Sequence, residues 1–232
     1  MHPLTRCLAL IMVLLGCPPL RAQDTPPPVS VQFRLFAWGT DLPTLYYGAN
    51  QKVEATENNG RSPTQTYSGP PVLAFTSVAP KAHDRKPPPV VASVLIPKDV
   101  TKVTLLTAPA GHGRYAMYVI PDDSTSLPPG HVRLHNLTPK RLMILCNGSQ
   151  QIDLNSGAST LISGSGKAVV VQVATMENNR WVPLFNNVIQ LSQQPQGSNI
   201  LFIAGQEGAG IGMFVLPGWP KTPAPQEPPA SP

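Results

Sequence analysis

Proline punctuates this chain from one end to the other. It occurs 29 times in 232 residues, and most copies fall between short apolar runs. Proline lacks the N–H that a helix interior or a sheet ladder needs, and its ring clashes with the preceding helical turn. A chain interrupted this often has little room for long helices; short strands joined by turns accommodate it. The residues between the prolines agree. In VSVQFRL, residues 29–35, Val31, Phe33 and Leu35 alternate with Gln32 and Arg34. Period two marks a strand with one buried and one wet face. No segment carries a sustained apolar stripe of helical spacing. The expectation is an all-β chain.

The remaining elements follow the same logic. PTLYYGANQKVEAT reads as a hairpin turning at GANQ, and ENNGRSPT as a loop. TYSGPPVLAFTSVA and PPPVVASVLIP each read as a strand, with the polar loop KAHDRK between them. After the turn-rich DDSTSLPPG come HVRLHNL, RLMILCNG, QQIDLNSG, STLIS, KAVVVQVAT, WVPLFNNVIQL, NILFIAG and IGMFVLPG, all strand-like. Apolar residues make up 41% of the chain and charged ones 12%, which supplies a core and argues against a charge-rich disordered chain.

VTLLTAPAGHGRYAMYVIPD, residues 103–122, aligns without a gap on NILFIAGQEGAGIGMFVLPG, residues 199–218, with 5 of 20 positions identical. Met117, Val119 and Pro121 recur as Met213, Val215 and Pro217. Three further anchors keep the same order. Arg34 answers Arg133, the glycine of LYYG answers that of LCNG, and the glycine of YSG answers that of NSG. The length differences fall in ENNGRSPT and around MENNRW and SQQPQGS. The final strand of each copy is apolar on both faces, as in a strand covered on both sides. The expectation is two tandem immunoglobulin-like β-sandwich units, residues 30–122 and 131–218, joined by a connector at 123–130. A unit of about 90 residues buries a modest share of its surface, so the two are expected to pack together.

The ends read differently. MHPLTR followed by the apolar run CLALIMVLLG is the pattern of a secretory signal peptide, cut after Ala22. LLGC offers a second reading, lipidation at Cys17. Residues 23–29 are a short linker, and residues 219–232, WPKTPAPQEPPASP, an extended proline-rich tail. Cys7 and Cys17 lie in the leader, so Cys146 is the one cysteine of the mature chain and no internal disulfide forms. It reads as a small buried apolar residue. The exported chain is expected in the periplasm or outside the cell, with an outer-membrane lipoprotein as the variant that Cys17 allows.

The chemistry-bearing residues do not converge on a motif. The net charge is +5 and the basic residues are scattered, which argues against nucleic acid as a partner. His131 and His135 share a strand face with Arg133, but four residues of strand span ~13 Å, too far for one metal ion. They read as a solvated face. Asp122 and Asp123 read as part of a polar connector, and His112 as a hairpin tip. GHGRY lacks the serine of a nucleophile elbow, and GQEGAGIG precedes no helix that would present its N-terminus to a phosphate. No cofactor and no metal are expected. Aromatics are the remaining hint: Trp38, Tyr47 and Trp181 are candidates for a sugar-stacking surface, with Tyr46 and Trp219 as further exposed rings. Adjacent strand residues face opposite sides, so one of Tyr46 and Tyr47 points inward.

FRLFAWGTDLPTLYYG, TYSGPPVLAF, VVASVLIPKDVTKVTLL and LPPGHVRLHNLTPKRLMILCNGSQQIDLNSG together resemble a group of uncharacterised secreted bacterial proteins. The second half is loosely similar to bacterial extracellular immunoglobulin-like domains. The resemblance implies a β-sandwich of the envelope or cell exterior and brings no catalytic residues. The functional expectation is a non-enzymatic structural or adhesive protein acting by contact with an envelope or extracellular protein. The alternative is a carbohydrate-binding module using Trp38, Tyr47 and Trp181.

Overall fold

The computed structural model describes residues 27–80, 87–123, 127–128, 130–163, 168–191, 197–204 and 210–218. The leader with its cut after Ala22 and Cys17, the KAHDRK loop with His83, and the tail with Trp219 lie outside them. The described residues form sixteen strands and no helix, and so no helix long and apolar enough to cross a membrane. They are β1 (Val29–Ala37), β2 (Leu45–Tyr47), β3 (Gln51–Val53), β4 (Gln65–Gly69), β5 (Val72–Thr76), β6 (Val90–Leu95), β7 (Lys102–Pro109) and β8 (Tyr115–Pro121), then β9 (His131–Leu137), β10 (Leu142–Cys146), β11 (Gln150–Leu154), β12 (Ser159–Ser163), β13 (Ala168–Glu177), β14 (Arg180–Gln190), β15 (Ser198–Ala204) and β16 (Ile211–Pro217). TYSGPPVLAFTSVA, expected as one strand, is two, because Pro70 and Pro71 cannot donate to a ladder and the chain turns there.

The strands build four sheets of four, in the orders β4-β1-β7-β8, β3-β2-β5-β6, β12-β9-β15-β16 and β11-β10-β13-β14. The first two face each other across Phe33, Leu35, Val103 and Leu105 on one side and Leu45, Tyr47, Leu73 and Phe75 on the other. The last two enclose Val132, Leu134, Ile200 and Phe202 against Leu142, Ile144, Val169 and Val171. The chain is therefore two β-sandwiches. In each, the first strand runs parallel to the seventh and antiparallel to the fourth. In an immunoglobulin constant domain the first strand instead pairs with the second. The sandwich class is established, and the narrower immunoglobulin arrangement is not.

Residue for residue, the pairing registers place the halves in correspondence. Arg34 lies beside Thr104, and Arg133 beside Asn199. Thr104 pairs with Ile120, and Asn199 with Leu216. Equivalent positions are thus Thr104 and Asn199, Leu105 and Ile200, Leu106 and Leu201, Ile120 and Leu216. The gapless alignment is off by one along β15, and the extra residue lies in the β15–β16 connection. The turn after β2 opens with Gly48 and the turn after β10 with Asn147, both at positive φ. Glycine and asparagine are the residues that tolerate this region. At MENNRW, Asn178 and Asn179 both take positive φ and close a two-residue hairpin between β13 and β14.

The sandwiches pack on each other. Phe36, Leu106 and Ile120, from the outer face of the β1 sheet, meet Leu201, Ile203 and Leu216 from the β9 sheet, with Trp38, Tyr118, Leu137 and Phe214 at the margin. The two inner sheets are consequently covered on both faces along their central strands. β7 and β15 are buried along most of their length, as continuous apolar strands of a covered sheet should be. Sheet follows sheet in four layers, and among the described residues β4 and β12, at the margins of the inner sheets, keep one exposed face.

Candidate functional site

Two places hold unusual chemistry: a polar seam between the sandwiches and an apolar groove on the outside of the second one.

The seam starts from Arg34. Alternation assigns it to the wet face of β1, yet it is 6% exposed, because that face is covered by the second sandwich. Its Nε donates to Thr104 Oγ1 at 3.0 Å, and a terminal nitrogen donates to Asp122 Oδ2 at 3.3 Å. The Thr104 hydroxyl donates to the same carboxylate. From the other sandwich, Asn199 Nδ2 donates to Asp122 Oδ1 at 2.9 Å, and its Oδ1 lies 2.9 Å from His135 Nε2. An amide oxygen only accepts, so His135 carries its proton on Nε2. Each of these five side chains thus reaches another of them.

Burial sets the electrostatics. It pushes the Asp122 carboxyl above its ordinary pKa, opposed by the Thr104 bond, the Arg34 charge and the Asn199 bond. It pulls Arg34 down, opposed by Asp122. It lowers His135 to about 4, against the raising effect of Asn199. At neutral pH the histidine is uncharged. A buried ion pair adds little net stability, since desolvation offsets its Coulomb gain, but it is strongly specific because removing one partner strands the other. The Arg34–Asp122 pair lies within the first sandwich, and the Asn199–Asp122 hydrogen bond links it to the second.

His131, Arg133 and His135 do share one face, but it is only partly solvated: His131 and Arg133 are half-buried and His135 is 4% exposed. Asp122 and Asp123 are likewise buried rather than part of an open connector. Both corrections have one cause, the covering sheet. Cys146 is buried in the second core, and burial raises its thiol pKa, which disfavours the thiolate.

The aromatic candidates are not brought together. Tyr47 is 3% exposed, edge-on to Phe33 at 5.1 Å between ring centroids, in the core of the first sandwich, and borders a pocket with Tyr46 and Tyr67. Its hydroxyl reaches Gln65 at the sandwich margin. Trp38 is half-buried beside Phe214 at the junction of the sandwiches. Trp181 lies on β14, half-buried, with the Arg141 guanidinium 5.8 Å from its ring centroid. Arg141 is also paired with Asp153.

The groove, of about 650 Å³, lies on the outward side of the β10-β13-β14 sheet. Met143, Leu145, Ala174 and Pro183 line it, with Gln172 and Asn186 at its polar positions, while the Phe185 ring turns inward onto Phe202. In β10, Leu142, Ile144 and Cys146 point into the core, which leaves Met143 and Leu145 on the other face. A register irregularity between Val173 and Ala174 shifts Leu184 out of step and opens the sheet there. RLMILCNG carries the one legible signal of this groove. A continuous apolar run in an outermost strand has more apolar residues than its core face can use.

The sequence matches no family model, and no curated protein matches it.

Proposed function

We propose that this chain is a non-catalytic, exported envelope protein that works by protein–protein contact, with the outer face of its second sandwich as the contact surface. The observation that carries the reading is the apolar groove around Met143, Leu145 and Pro183. An outward face of an antiparallel sheet is ordinarily polar, and exposed apolar patches mark interaction sites. The leader in residues 1–22 supports export. The matched strand pairing of the halves supports descent from one duplicated unit, in which the seam serves to hold the copies rigidly. Glycan binding is the second reading. It now rests on Trp181, which stands two residues from Pro183 on β14.

A photo-crosslinking residue at Leu145 of the full chain, expressed in its native cells, tests the contact, with one at exposed Glu54 as control. Discrete adducts at Leu145 that protease removes support protein contact. Adducts removed by glycosidases and lost on Trp181→Ala point to the glycan reading. Adducts no stronger than those of the control overturn both.

A further inference from the structure

β14 is an edge strand of eleven residues, whereas the other edge strands have at most seven. An open edge presents unpaired backbone N–H and C=O groups to any strand that can lie beside it. From Trp181 to Gln190 there is no charged side chain. Val188 is 61% exposed on this strand. The pairing with β13 is uninterrupted between Phe185 and Gln190, so this part of the edge is regular.

The side chains of this segment suit one partner in particular, another copy of itself. Phe185, Asn187 and Ile189 pair with Val173, Val171 and Val169, all buried, and therefore share the inner side; Asn186 and Val188 take the outer side. A two-fold axis perpendicular to the sheet at Asn187 preserves those faces. It sets Phe185 opposite Ile189 of the second copy and Asn186 opposite its Val188. Aromatic and β-branched residues make favourable cross-strand pairs. Phe185 and Ile189 already belong to the apolar cluster of the second sandwich, so the pairing continues that core across the axis. At the axis a residue meets itself. A lysine or aspartate there would oppose its own charge, whereas an amide both donates and accepts and so complements itself.

We propose that two copies of this protein pair antiparallel along β14 about Asn187, joining their second sandwiches through one eight-stranded sheet. The pairing uses the free edge of β14 and goes beyond the contact reading above, since it leaves the outward side of the sheet open in each copy. The two grooves then flank the axis on one continuous face.

Cysteine crosslinking in the full mature chain tests it. Directly opposed strand residues lie ~4.5–5.5 Å apart at Cα, inside the ~4.4–6.8 Å range of a disulfide. Under mild oxidation, Asn187→Cys should become a covalent dimer, while Asn186→Cys, displaced from its own copy, should crosslink at least about tenfold less. Cys146 is buried and does not compete. Wild type should sediment as a dimer, and Val188→Lys should weaken dimerisation at least about tenfold while its circular dichroism stays that of wild type. A monomeric wild type at about 100 μM, where even weak specific pairs associate, overturns the proposal. So does a dimer in which both cysteine variants crosslink equally. A monomeric wild type whose Leu145 adducts persist overturns self-pairing alone and leaves the contact reading standing.

Discussion

Asn199 Nδ2 donates to Asp122 Oδ1 at 2.9 Å, so the second sandwich supplies a hydrogen bond to the carboxylate that pairs with Arg34 of the first. One side chain thereby ties the docking of the halves to the satisfaction of a buried charge.

Removing that carboxylate should be severe. Asp122→Ala strips Arg34 of the carboxylate beside it, and loss of one member of a buried pair costs ~3–5 kcal/mol. Replacing both, as Arg34→Met with Asp122→Leu, should cost much less than the two single changes combined, because no charge is then left behind. Urea midpoints of the four proteins measure the difference. Equal losses for single and double variants would show that the pair is not coupled.

The seam also sets a pH dependence. His135 has its pKa lowered to about 4 by burial, against an ordinary 6.5. A group depressed in the folded state contributes stability that is complete above its unfolded pKa and lost as pH falls through its folded one. Stability should therefore fall between pH 6.5 and 4 by about 3 kcal/mol from this residue. Asp122, raised by burial, works in the opposite sense. Its contribution is present below its unfolded pKa and is lost as pH rises through the folded value. His135→Gln keeps a donor toward Asn199 but does not titrate, so its stability should fall less on acidification or even rise. Denaturation midpoints at several pH values in this window check the slope.

Across the junction, Phe36 and Phe214 stand with ring centroids 5.0 Å apart. A double-mutant cycle with Phe36→Leu and Phe214→Leu should return a coupling of ~0.5–1.5 kcal/mol beyond the burial each loses. A coupling of zero would mean that the rings are not in contact in solution.

Tyr47 separates folding from binding. Tyr47→Ala should destabilise the first sandwich by ~3–5 kcal/mol, as for other large aromatics cut from a core. Tyr47→Phe loses only two long hydroxyl contacts, at 3.3 and 3.4 Å, and should cost ~1 kcal/mol or less. Melting curves should rank the two in that order. A Tyr47→Ala protein that melts like wild type while losing a ligand would return Tyr47 to the surface.

Much of this architecture is written in local pattern. Val31, Phe33 and Leu35 can share a core only on a strand, Pro70 and Pro71 must break one, and Asn178-Asn179 must turn one. Those outcomes depend on neighbours a few residues away, which is why the strands are legible in the sequence. What alternation does not reveal is the medium on the second face. By residue type Arg34 and His135 read as solvent-facing, and Met143 and Leu145 as buried. Only the tertiary structure reverses these meanings. It lays each sandwich over the other's inner sheet, where Arg34 and His135 stand, and leaves Met143 and Leu145 on an outer face; whether a face meets water or another sheet is settled by segments distant in the chain, as Asp122 and Asn199 are, 77 residues apart and beyond the reach of any local period.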